Sequence, residues 1–168
     1  LFVQNSAFRF SDGVIFLTKY ASEVIQKSSG PLSNIKCIPH GVGSNFRSTQ
    51  LKREWPKNSK DPISCIYISN AEMYKHQWIV VKALSLLRSR GINITLQLVG
   101  GGKGRAQKLV NESIEKYDPD GLFVEVYDFM PHEMVPEYLS NSNIFVFASS
   151  CENMPVTLIE GMSSGLPV

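Results

Sequence analysis

The chain has 168 residues, with 17 basic and 15 acidic side chains and a formal net charge of +2 at pH 7. Its 43% apolar content is enough to bury a core in one domain or in pieces of two, and its basic residues are too few and too scattered to displace counterions from nucleic-acid phosphates. Cys37, Cys65 and Cys151 stand far apart, which fits neither a disulfide framework nor a zinc cluster; no apolar run reaches the roughly 20 residues of a membrane span, and the start lacks the order of a signal peptide.

Short β-branched runs that suit buried parallel strands alternate with longer stretches of helical spacing. Residues 14–18 read as a strand, 19–27 as a helix and 35–38 as another short strand. From 39 to 62 the chain is rich in Gly, Ser, Asn, Lys and Pro with little periodicity, the composition of a connection between domains. Residues 63–69 form the next predicted strand, and 75–90 a helix with Val80, Val81, Leu84 and Leu87 on one face and Gly91 as its stop. A strand over 92–99 runs through the glycine cluster at 100–104 into a helix over 105–117. A strand over 122–126, a helix over 133–140 and the most apolar strand, 143–148, follow. The last helix opens near Pro155, whose missing N–H costs nothing in a first turn. Leu1 at the start, and a turn running into a strand over 165–168, make both ends look cut. This alternation predicts a doubly wound parallel sheet with its ligand at the carboxyl ends of the strands.

The strongest local feature runs from Ser149 to Glu160. Glu152 lies in the loop leaving a buried strand, and Glu160 falls about one and a half turns into the following helix. Between them the N–H groups of Met154, Val156 and Thr157 offer a phosphate site, aided by the positive end of the helix dipole. A ligand with hydroxyls at both ends and phosphate between, which describes a nucleotide sugar, fits that order. The plainer reading makes Glu152 a loop acid and Glu160 a solvated helix residue.

Other features are weaker. The glycine cluster lacks the end of a P-loop and contains no full dinucleotide fingerprint, so it reads as a tight turn or a close backbone approach to ligand. His132-Glu133 begins like a zinc-protease helix, but Pro136 stands where the second histidine belongs, and no metal is indicated. His40 and His76 have no local partners for a triad and read as structural or surface residues; Cys151 reads as a small loop residue.

The stretch from Glu152 onward resembles the signature of glycosyltransferase family 4, a retaining family of GT-B fold. Glu152 and Glu160 match its two glutamates separated by seven residues, with Pro155 between them and a small-residue run, Gly161 to Gly165, behind. The resemblance extends to residues 38–42, similar to the interdomain stretch, and 12–18, similar to the last strand region of the acceptor-side domain. It implies a GT-B, Rossmann-like doubly wound sheet. Residues 1–38 would be the tail of the acceptor-side domain, 39–62 the connection, and 63–168 a donor-binding domain truncated at its C-terminus.

By that resemblance Glu152 contacts the donor sugar and Glu160 the ribose, with Asn153, Met154, Pro155, Val156 and Thr157 around the diphosphate and Phe129 and Met130 near the base. Lys75, in Tyr74-Lys75-His76-Gln77, resembles the family's diphosphate lysine. The arginine usual five residues earlier is replaced by Asn70, so Lys75 and the helix N-terminus suffice or Lys103 or Arg105 compensates. The activity implied is retaining transfer of a sugar from a UDP-, GDP- or ADP-sugar to a sugar or lipid-linked acceptor in envelope polysaccharide or glycoconjugate synthesis. It needs no metal or other cofactor and no nucleic acid, in the cytoplasm or at the inner membrane face, with room for peripheral membrane association through the missing half. Alone, the segment is expected to bind nucleoside diphosphate weakly and transfer nothing. A nucleotide-sugar epimerase and a non-catalytic nucleotide-binding module stay open as alternatives.

Overall fold

The computed structural model describes residues 2–47 and 53–168, so residues 48–52 of the expected connection and Leu1 lie outside the described residues. The chain divides into two compact units, Leu1–Gly41 with Glu152–Val156, and Val42–Cys151 with Thr157–Val168.

In the smaller unit, α1 (Phe2–Phe10) precedes β1 (Val14–Phe16), α2 (Lys19–Ser29) and β2 (Ile35–Cys37). β1 and β2 pair in parallel, with Val14 opposite Ile35 and Phe16 opposite Cys37. β1 ends before the expected residue 18 because Thr18 caps α2 instead: its Oγ1 accepts from the Ala21 N–H at 3.0 Å. Residues 2–10, for which the sequence pattern specifies no element, form the helix α1. α1 is fastened to the end of α2 by Arg9, which donates to the Ser29 carbonyl, and by Asn5 Nδ2, which donates to the Ser28 carbonyl at 3.1 Å.

The larger unit holds β3 (Ile63–Ile68), α3 (Gln77–Ser89), β4 (Ile94–Val99), α4 (Arg105–Tyr117), β5 (Val124–Tyr127), α5 (Val135–Ser140), β6 (Ile144–Phe145) and, from Thr157 onward, α6 (Val156–Ser163). Its four strands form one parallel sheet in the order β5-β4-β3-β6. Alternation along β3 sends Cys65 and Tyr67 to one face, where they pack with Val81 and Leu84 of α3 and Val110 of α4. Ile66 and Ile68 go to the other face, against Val135 and Leu139 of α5, with Leu158 of α6 at the margin. The sheet is therefore covered by helices on both faces, the doubly wound arrangement. Phe46, in a 3₁₀ turn over Ser44–Phe46, is only 1% exposed and belongs to that second face. Gly161 lets α6 lie on β6: a Cβ there would stand 2.7 Å from the buried Phe145 ring.

Several element boundaries differ from the sequence reading, each for a local reason. α3 starts at Gln77 rather than Lys75, because Met73–Lys75 form a 3₁₀ turn and His76 adopts a left-handed conformation, φ 54°, between the two. β4 starts at Ile94 because the Ile92 N–H is held by the Leu87 carbonyl as α3 ends. His132–Met134 are a 3₁₀ turn, so α5 begins at Val135. β6 is two residues long instead of the expected six, although Asn143 and Val146 extend its hydrogen bonding to β3. Residues 166–168 form no strand; the Pro167 carbonyl accepts from the Phe145 N–H at 2.9 Å.

β5 begins two residues later than expected because a carboxylate takes the preceding amides. Asp118, 4% exposed at the end of α4, accepts from the N–H groups of Leu122 at 2.7 Å, Phe123 at 3.0 Å and Val124 at 2.7 Å. Removing it leaves buried donors without partners, so Asp118→Ala is expected to destabilise the unit by about 3 kcal/mol, and Asp118→Asn, which keeps one acceptor oxygen, by less. Urea unfolding of the two variants checks this; equal midpoints for Asp118→Ala and the unaltered protein would show the three bonds contribute nothing net.

Candidate functional site

The strand order itself places a crevice. From β3 the chain builds outward through β4 and β5, then crosses back to lay β6 on the other side of β3, so the loops leaving β3 and β6 diverge at a topological switch point. They are stitched together there. The Ser150 N–H donates to the Tyr74 carbonyl at 2.9 Å, and His76 Nε2 and Ser150 Oγ share a hydrogen bond of 2.8 Å. His76 holds this position in a left-handed conformation that costs a non-glycine residue on the order of 1 kcal/mol, with its Nδ1 buried and without a partner and its ring edge-on to Trp78.

A cavity of about 470 Å³ opens at the carboxyl ends of β3 and β4. Its walls include Asn70 and Lys75 from the loop after β3, Gly100 after β4, Phe129 and His132 after β5, and Thr157 in the first turn of α6. Lys75 is fixed through its backbone: the buried Tyr67 hydroxyl donates to its carbonyl at 2.6 Å. Its Nζ stands 5.0 Å from the Tyr74 ring centroid and 5.8 Å from that of Phe147, where the ring faces stabilise the cation. Asn70 occupies the wall as an uncharged neighbour, and Lys103 and Arg105, the candidates for compensation, do not line the cavity.

Gly100 explains most of the glycine cluster. At φ 124° its Cα packs against the end of β3, where an added Cβ would lie 2.5 Å from the Ser69 carbonyl oxygen. The close approach is to the protein's own backbone, in the cavity wall.

Glu160 is not the solvated helix residue of the plainer reading. Its side chain is 4% exposed and pairs with His132, whose Nε2 donates to the carboxylate at 2.7 Å. The His132 side chain is 64% exposed and its ring is braced by Phe46, with centroids 5.1 Å apart. In the sequence His132 matches only the start of a zinc pattern; its partner lies 28 residues away, at no spacing that a local motif would flag. Met130 lines the cavity beside Phe129, which is 83% exposed.

The remaining expected site residues, Glu152, Asn153, Met154, Pro155 and Val156, cluster with the smaller unit. There Thr18 Oγ1 donates to Asn153 Oδ1 at 2.8 Å and the His40 N–H approaches Met154 Sδ at 3.4 Å, while Glu152 is exposed. Of the cysteines, burial pushes the Cys65 thiol up to about 11, which leaves it protonated and inert at neutral pH. Among the described residues no group of His, Cys, Asp and Glu is arranged to hold a metal, and no helix is long and apolar enough to cross a membrane.

The two-sided parallel sheet with its crevice beside β3 is the α/β fold of the GT-B glycosyltransferases. Solved structures agree: HepE of Anabaena in complex with UDP superimposes with a TM-score of 0.76 at 22% identity, over 98% of this chain and 46% of that one. A family model described as glycosyl transferases group 1 matches residues 48–168, and the chain belongs to that family. Among curated relatives, the uncharacterised glycosyltransferase MJ1059 of Methanocaldococcus jannaschii is 26% identical over 168 residues, 96% of this chain and 40% of the relative. The putative colanic acid biosynthesis glycosyltransferase WcaL of Salmonella typhimurium is 22% identical over 149 residues, 83% of this chain and 36% of the relative. The chain thus spans 40% or less of the length of these two.

Proposed function

We propose that this chain is the donor-binding part of a retaining glycosyltransferase, of the family 4 type, that moves a sugar from a nucleotide diphosphate to an acceptor hydroxyl. The observation that carries the reading is the cavity at the switch point, where Lys75 and the first turn of α6 meet the His132 and Glu160 pair. A cation with helix-terminal amides suits a diphosphate, and His132 at the wall with the buried Glu160 paired to it suits ribose hydroxyls. In this reading Glu160 serves the ribose, Phe129 and Met130 the base, and Asn153, Met154, Pro155, Val156 and Thr157 the diphosphate, while Glu152 holds the donor sugar. Residues 1–38 then belong to the acceptor-side domain, 39–62 to the connection and 63–168 to the donor domain. The UDP held by HepE supports a nucleotide-sugar donor, and the name of WcaL, a putative colanic acid biosynthesis glycosyltransferase, supports a role in polysaccharide synthesis.

Chemically, charge grows on the departing phosphate oxygen as the glycosidic bond breaks. Lys75 and backbone N–H groups already in place lower that barrier without having to reorganise. Calorimetric titration of the full-length protein with UDP, GDP and ADP tests the reading. One of the three is expected to bind, and Glu160→Ala to weaken it by about 1.5–3 kcal/mol, because charge-assisted hydrogen bonding to the ribose is lost. Glu152→Ala should instead reduce turnover of the nucleotide sugar with free nucleotide binding nearly intact. No heat with any of the three nucleotides would remove the reading.

A further inference from the structure

The turn that carries Lys75 is tied down from several sides. The Tyr67 hydroxyl donates to the Lys75 carbonyl at 2.6 Å, Gln77 Nε2 donates to the Ser69 carbonyl at 3.0 Å, and the Ser150 N–H donates to the Tyr74 carbonyl at 2.9 Å. A further tie is made by a side chain that is itself under strain. His76 is left-handed at φ 54°, and its Nδ1 is buried without a partner while Nε2 meets Ser150 Oγ at 2.8 Å. Ser150 Oγ also lies 3.5 Å from the Tyr74 carbonyl, so its hydroxyl can donate there and accept from the ring's Nε2–H, which leaves Nδ1 as a bare acceptor. Packing edge-on to Trp78 does not account for such a residue. An apolar ring would pack there without a desolvated nitrogen, and glycine would take the backbone conformation without strain. What neither supplies is the bond from one loop to the other.

We infer that His76 is a positioning residue of the diphosphate site: through Ser150 its ring fixes the turn that carries Lys75 against the loop that leaves β6 and leads to Glu152. The inference rests on the nucleotide-sugar reading above. Neither His76 nor Ser150 lines the cavity, so both act on a bound nucleotide through the backbone they hold. Lys75 has the uncharged Asn70 as its neighbour in the wall, and an ammonium on a flexible stem grips a diphosphate well only where its turn does not shift. The left-handed conformation of His76 is kept for what the ring then reaches, as sparsely populated backbone conformations at binding sites commonly are.

The test uses the full-length protein and whichever of UDP, GDP and ADP gives heat in calorimetric titration. Asparagine tolerates the left-handed backbone but is too short to make the same bridge, so His76→Asn separates conformation from contact. Its urea midpoint is expected to equal or exceed that of the unaltered protein, while affinity for the nucleotide falls about threefold to tenfold, the worth of one hydrogen bond. Ser150→Ala should lose as much affinity, and the double variant no more than either single one, because all three remove the same bond. Ser150→Thr, which keeps the hydroxyl, should retain most of the affinity. A merely structural role would make affinity follow stability, so a loss of affinity that only mirrors a fall in the urea midpoint overturns the inference. Losses that add in the double variant overturn it as well, because the two side chains then act separately. Full nucleotide affinity in His76→Asn defeats this inference alone, whereas no heat from the unaltered protein with UDP, GDP or ADP defeats the nucleotide-sugar reading and this one with it.

Discussion

Lys75→Ala in the full-length protein is expected to lower turnover of the nucleotide sugar about a hundredfold or more, and affinity for free nucleoside diphosphate by less. The difference follows from when the charge is greatest. Free diphosphate and the ground-state donor carry charge that solvent also stabilises, but the charge developing on the leaving oxygen must be met by groups already in place. Lys75 is in place before ligand arrives, with its carbonyl held by Tyr67 and its ammonium over the Tyr74 and Phe147 rings. The cavity wall also bears the neutral Asn70 where a second cation would share the load, and neither Lys103 nor Arg105 reaches that wall. Donor turnover and UDP titration on the same preparations, together with Lys75→Ala combined with Lys103→Ala or Arg105→Ala, measure the effect. Unchanged kinetics in the single variant would eliminate Lys75 as the clamp, and a larger loss confined to the double variants would move the role to the partner removed.

The largest effect on stability is expected at Gly100. Gly100→Ala combines a backbone conformation that L-residues rarely adopt with a Cβ 2.5 Å from the Ser69 carbonyl oxygen and 3.2 Å from the Asn70 backbone nitrogen. Neither neighbour can rotate away, since Ser69 continues β3 and its N–H is bonded to the Val99 carbonyl at 2.9 Å. Strain at positive φ and forced separation of two adjacent strand ends together should cost about 3–5 kcal/mol. Gly101→Ala is the control, because at φ 57° its nearest contact is the Asp128 side chain at 3.4 Å, and it should cost only about 1 kcal/mol. Chemical denaturation of both separates the two terms; equal costs would mean that conformation alone, without the steric clash, decides this turn.

The sequence by itself determined the architecture of the larger unit. Alternation of β-branched runs with helical spacing specified parallel strands covered on both sides, because each pattern says which residues face inward, whatever they meet there. The chain's resemblance to a family signature offered Lys75, Glu152 and Glu160 as candidates, because such a motif is read over short runs of consecutive residues. Boundaries were less legible. Thr18 and Asp118 ended or began an element by satisfying backbone groups and His76 by its left-handed conformation, and such local choices are settled atom by atom rather than by periodicity.

What the tertiary structure alone decided are pairings across long stretches of chain: Phe46 buried beneath the His132 ring, His76 with Ser150, Gly100 against Ser69, and above all His132 with Glu160. Hydrophobic spacing fixes the face that a residue occupies. It does not fix which polar group on another element will stand opposite, because that depends on the strand order that brings the elements together. A glutamate spaced for a ligand can then be buried behind a histidine, and the cavity presents the imidazole in its place.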